Sequence, residues 1–157
     1  MTINTLEALF IHDLSDVYSA EKQITRALPK MARAATDENL VEAFKLHLEE
    51  TRGQIDRLDE LVEKTDGISI KRMKCHALEG LVEEAQEIID SVEVGQVRDA
   101  GLIGAAQKVE HYEIAAYGTL HAMALKLGYQ EAARLLAETL EEEKATNQKL
   151  TLIEEQQ

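Results

Sequence analysis

Four glutamates carry the chemistry this sequence offers. Glu21 interrupts a seam that is otherwise apolar, Phe10, Leu14, Val17, Ile24, Leu28, Met31 and Ala35, whose steps alternate four and three. Ninety-two residues further on, Glu113 interrupts a second seam, Leu102, Ala106, Val109, Ala116, Leu120, Met123 and Leu127, at the same step. The offset holds beyond the seams, with His47-Leu48-Glu49-Glu50 over Thr139-Leu140-Glu141-Glu142. Glu50 and Glu142 stand beside the seams of their own helices. Each lies 29 residues after its partner, Glu21 or Glu113. In antiparallel hairpins that turn near residues 35–36 and 127–128, each pair meets at one level. One glutamate from each helix then enters a single layer of the bundle.

Buried carboxylates need compensation, because desolvation costs several kcal/mol per ion and like charges raise one another's pKa. Shared protons, paired cations or a bound metal would supply it. Arg26, Arg52, Arg57 and Lys108 face mostly elsewhere. A dinuclear centre of iron or manganese therefore answers the chemistry best, and a protonated or water-filled polar core is the alternative. The expected metal set is Glu21, Glu50, Glu113 and Glu142, assisted by His47, Glu110 and Gln54. His47 and Gln54 share the stripe of Glu50, within about 60° of arc, and Glu110 lies one turn before Glu113. Glu49, Glu141 and Glu143 read as solvent-facing charges, Glu143 with the option of rotating inward. His111 lies about 100° around the helix from its glutamate neighbours and falls outside the set. His12, His76 and His121 read as surface or packing residues. Tyr18 and Tyr117, one turn from Glu21 and Glu113, are placed to hydrogen-bond the carboxylates or simply to pack.

The elements that must position these groups are helices. Ala, Leu, Glu and Lys dominate the 157 residues, with one proline and no tryptophan, and no Val/Ile/Thr run reads as a strand. The chain reads as all-α, one domain over 1–157, with helices at about 5–35, 37–64, 75–94, 96–127 and 130–153. Thr36 is the expected N-cap of the second helix, Gly95 ends the third and Gly128 closes the fourth. The short turns after the first and fourth helices impose two antiparallel hairpins, with the shorter helix in the long connection between them. Its apolar face would cover the bundle end or build a dimer interface. Pro29 predicts a kink near 25–29 rather than a helix end. Gly53 and Ala145, small at equivalent positions, suggest close helix approach there.

Net charge is −13, from 30 acidic and 17 basic residues. Such a surface repels phosphate, which argues against nucleic acid and anionic membrane as partners. Lys71, Arg72 and Lys74, the one compact basic cluster, read as a solvated connector. No segment approaches a membrane span, and the first residues lack a signal-peptide pattern. Cys75 stands alone, which fits a reducing cytoplasm and a packing role.

The segments FIHDLSDVYSAEKQITRALPKM, FKLHLEETRGQIDRL, KRMKCHALEGLVEEA, QKVEHYEIAAYGTL and LLAETLEEEKATNQKL, in this order, resemble the YciE/YciF family of bacterial proteins over essentially the whole chain. The resemblance implies a ferritin-like bundle, a homodimer, a cytoplasmic location and a place in the stress response. Ferritin-like di-iron proteins carry Glu on two helices and Glu-x-x-His on the other two. Glu21 and Glu113 match the first half of that pattern. The second half is absent, since Gly53 and Ala145 stand three residues after Glu50 and Glu142. Three readings follow: a di-metal carboxylate oxidoreductase that oxidises ferrous iron or consumes peroxide, a non-enzymatic dimeric interaction protein with a metal-free polar core, and, ranked lowest, a storage shell.

Overall fold

The computed structural model describes residues 2–157. Five helices follow one another: α1 (Leu6–Ala34), α2 (Glu38–Lys64), α3 (His76–Ser91), α4 (Gln96–Leu127) and α5 (Gln130–Glu155). No strand occurs among the described residues. Thr5 starts α1 by accepting the Ala8 N–H at 3.0 Å, and the helix runs through Pro29 without ending. At the next turn the N-cap is Asp37 rather than Thr36. Its carboxylate accepts the N–H groups of Asn39 and Leu40, two of the donors that a helix start leaves without partners. The backbone N–H groups of Thr36 and Asp37 both bind Asp99, at 2.8 Å each. Asp99 is a buried carboxylate in the first turn of α4, so the α1–α2 turn is pinned to the opposite hairpin.

Three polar side chains one turn apart on α1 carry the connection to α3. Ser15 Oγ accepts from Lys71 N at 2.8 Å and Ser19 Oγ from Cys75 N at 3.0 Å, while Gln23 Nε2 donates to the Cys75 carbonyl at 3.0 Å. Cys75 is buried and caps α3, its sulfur accepting the Leu78 N–H. α3 ends at Ser91 rather than near 94. Its last carbonyls are taken by Arg98, which donates to Ile89 and Val92 at 3.0 Å each. The apolar face of α3 lies against α1 and α4. Close approach there depends on Gly101, where a Cβ would sit 2.8 Å from Ile88 Cγ2. Gly53 plays no such part. It is exposed, a Cβ on it would meet nothing within 4 Å, and Ala145 is exposed as well. Gly95 belongs to the start of α4 instead of the end of α3. Gly128 (φ +79°) closes α4 in the left-handed conformation that favours glycine.

The two hairpins, α1–α2 and α4–α5, pack side by side through α1–α4 and α2–α5 contacts. Their core is not continuous. One apolar cluster gathers Phe10, Leu14, Leu58, Leu61, Leu120 and Leu136. A second gathers Ile24, Leu28, Leu40, Phe44, Leu102 and Leu150. Buried polar side chains from α1, α2, α4 and α5 sit among them: Glu21, His47, Thr51, Gln54, Glu110, Glu113, Thr139 and Glu143. Among the described residues, no helix is long and apolar enough to cross a membrane.

Candidate metal centre

Each polar side chain of this layer is placed by the seam of its own helix. On α1, Glu21 lies between Val17 and Ile24 and is fully buried. On α4, Glu110 and Glu113 lie one turn apart between Ala106 and Tyr117, both buried. α2 contributes His47 and Gln54, and α5 contributes Glu143. Glu142 does not enter the layer. It is about a third exposed and paired with Arg57, whose Nη1 lies 2.9 Å from Glu142 Oε1. Arg57 also reaches Glu138 at 3.2 Å and donates to Thr139 at 2.8 Å. Glu50 likewise stays at the edge, half-buried, accepting the Thr146 hydroxyl at 2.8 Å. The inward place expected for Glu142 belongs to its neighbour Glu143, which is not the solvent-facing charge its sequence context suggested.

The twofold repeat survives at the edge and is broken in the centre. Thr146 donates to Glu50, and its equivalent under the repeat, Gln54 Nε2 donating to Glu142 Oε1 at 3.2 Å, likewise joins α2 to α5. In the centre, Glu143 occupies the position equivalent to Thr51, and Glu110 that of Tyr18. Thr51 turns its hydroxyl back to the His47 carbonyl at 2.7 Å. Tyr117 donates to Glu21 Oε2 at 2.8 Å, while Thr25, its equivalent on α1, bonds the Lys22 carbonyl and leaves Glu113 without a hydroxyl. The donors are therefore weighted toward α4 and α5.

The hydrogen-bond inventory of the centre is the decisive feature. With all four carboxyls ionised, Glu21 Oε2 alone among the oxygens of Glu21, Glu110, Glu113 and Glu143 has a hydrogen-bond donor. Both ring nitrogens of His47 and Gln54 Oε1 also lack one. His47 Nε2 lies 2.8 Å from Glu110 Oε1, yet off the line that a hydrogen bond requires. Single donor atoms of His47, Glu110, Glu113 and Glu143 all fall within 4.8 Å of one another. Opposite ligands of a small divalent ion stand about 4.0–4.4 Å apart, given ligand distances of roughly 2.0–2.2 Å, so small side-chain shifts would close the set around an ion. One imidazole among several carboxylates is a donor set that suits iron or manganese.

Electrostatics point the same way. Burial raises Glu21 from 4.5 to about 7, and the Glu143 charge adds to the rise. Burial likewise raises Glu110 to about 7, with Glu21 and Glu50 contributing repulsion. Glu113 and Glu143 are driven well above the usual carboxylate range, by burial first and then by the neighbouring carboxylates. Tyr117, wholly enclosed beside them, is pushed up too. Groups so disposed either keep their protons or receive a cation. Without a cation, protonated carboxyls pair with one another, Glu21 with Glu113 and Glu110 with Glu143, and a bound ion would take the place of those protons.

His12, His76 and His111 are exposed and stand apart from the centre. Tyr18 is half-buried against the cluster of Phe10 and Leu14, where burial and a hydrogen bond to Asp59 of α2 raise its hydroxyl. Burial raises the thiol of Cys75, which lies 3.2 Å from the Tyr112 hydroxyl and is packed rather than poised as a nucleophile.

Against known proteins, the model of a domain of unknown function, DUF892, matches residues 5–157. Protein YciF of Escherichia coli (strain K12) is 64% identical over 151 residues, covering 96% of this chain and 91% of that protein. The crystal structure of the E. coli stress protein YciF superposes with a TM-score of 0.95 at 63% identity, over 97% of this chain and 96% of that one. YcfI from Rhodopseudomonas palustris superposes with a TM-score of 0.91 at 47% identity, over 95% and 94% of the two chains.

Proposed function

The chain belongs to the YciE/YciF family, the domain of unknown function DUF892, and from that premise we propose that it is a stress protein binding iron or manganese within its helical bundle. The observation that carries this reading is the set of buried, unpartnered donors on His47, Glu110, Glu113 and Glu143 that converge within 4.8 Å. One ion would be held by those four side chains. Glu21 and Gln54 Oε1, buried in the same layer, would be available to a second ion. Glu50 and Glu142, at the rim between α2 and α5, would meet cations on their way in.

A pair of ferrous ions held there would supply two electrons, enough with two protons to reduce one peroxide to two waters. The protein's share of that chemistry is positioning and proton storage. Glu21 and Glu110, both near 7, hold protons that incoming cations displace, so uptake at neutral pH would release protons. Tyr117 orients Glu21, and the apolar clusters on either side limit the access of water.

Anaerobic calorimetric titration with ferrous or manganous ion tests the reading. Uptake of one to two ions per chain with proton release supports it, and a change in ferrous content on adding peroxide would extend it to an oxidoreductase. No uptake would leave the metal-free polar core of a non-enzymatic interaction protein.

A further inference from the structure

A second feature touches the same histidine from the opposite side. Beneath α3 lies a cavity of about 20 Å³, room for roughly one water-sized molecule. Its lining comes from α1, α3 and α4, and every lining side chain is apolar except His47 of α2. It extends from half-buried Ala27, Leu81 and Val82 to fully buried Leu78 and Ala106. His47 is therefore shared between the cavity and the cluster of donors, with Nε2 beside Glu110 and Nδ1 without a partner.

We infer that this cavity is a binding site for dioxygen, placed to deliver it to the carboxylate centre. The inference rests on the metal-binding reading and deepens it by choosing the oxidant. A buried water needs two to four polar partners, and a cavity with one polar side chain cannot supply them. Peroxide, with two hydroxyls, is served still less well. An apolar diatomic molecule requires no hydrogen bonds and gains contact with the Ile24, Leu28, Leu78 and Val109 side chains. α3 makes the site: without it, the α1–α4 face beside His47 would be open to water.

Xenon, an apolar probe of similar size, tests the inference in crystals of the full chain under pressure. A xenon peak against His47 and Val109 is expected. Ala27→Leu, which fills the cavity from its half-buried edge, should abolish it, and Leu81→Ala should increase its occupancy. With ferrous-loaded protein, Ala27→Leu should slow oxidation by dioxygen severalfold and leave oxidation by peroxide unchanged. An ordered water in the cavity, no xenon there, or equal slowing with both oxidants would overturn the inference. Iron uptake without a xenon peak would overturn it alone. A xenon peak in protein that takes up no iron would instead overturn the metal-binding reading, and with it the role in delivery.

Discussion

Removing metal and raising the pH should destabilise this protein from within. Glu21 and Glu110 titrate near 4.5 in the unfolded chain and at about 7 in the folded one. Below pH 4.5 both states hold the protons and these groups contribute no pH dependence. Between 4.5 and 7 the unfolded chain has released protons that the folded chain still holds, so stability falls as pH rises. Above 7 the folded chain carries the buried charges and the full cost is present. A displacement of that size corresponds to about 3 kcal/mol per group, and the two groups are coupled, so the combined loss lies at roughly 3–6 kcal/mol. For a chain of this length that is a fall in Tm of roughly 10 °C or more. Glu113 and Glu143, raised further still, extend the decline beyond pH 7. Thermal melts of chelator-treated protein from pH 4.5 to 8.5 measure the effect. Repulsion across the acidic surface has the same sign, but salt screens it and leaves the buried term in place. A slope that persists in high salt and flattens in Glu21→Gln/Glu110→Gln is therefore the expected outcome. Constant or rising stability between pH 5 and 8 would refute the reasoning.

Asp99→Ala leaves the Thr36 and Asp37 N–H groups without their acceptor and should cost about 2 kcal/mol in urea denaturation; Asp99→Asn, which keeps one acceptor oxygen, should cost roughly half. Gly101→Ala sets strain against Ile88 of about 1–3 kcal/mol against a helix-propensity gain near 1 kcal/mol, so a net loss is expected. In an Ile88→Ala background the same substitution should stabilise, and a double-mutant cycle of denaturant midpoints reads the coupling.

The fold was legible because its signals are local and agree with one another. Apolar seams, the short turn before Glu38 and Gly128 place the four long helices within a few residues of their observed ends. The cap at Asp37 was harder to read, since Thr36 and Asp37 are both good N-caps and the choice is settled by Asp99, 62 residues away. The centre was half legible. Glu21, Glu113, Glu110, His47 and Gln54 were marked by their positions on seams. Glu142 was chosen over Glu143 because the repeat offset places it opposite Glu50, and that equivalence holds in the edge hydrogen bonds. The inward position is equivalent to Thr51 instead. The spacing of seven on either side of Glu143, to Leu136 and Leu150, was the signal that could have found it. The cavity beneath α3 had no sequence signature, because it depends on how α3 settles over α1 and α4.

Metal content per chain, determined by mass spectrometry on protein purified without chelators, tests the central claim most directly. The wild type should carry one to two iron or manganese ions per chain, and Glu113→Gln/Glu143→Gln should carry none while keeping its helical circular dichroism. A folded wild type that stays metal-free even after anaerobic ferrous iron is supplied would contradict the account.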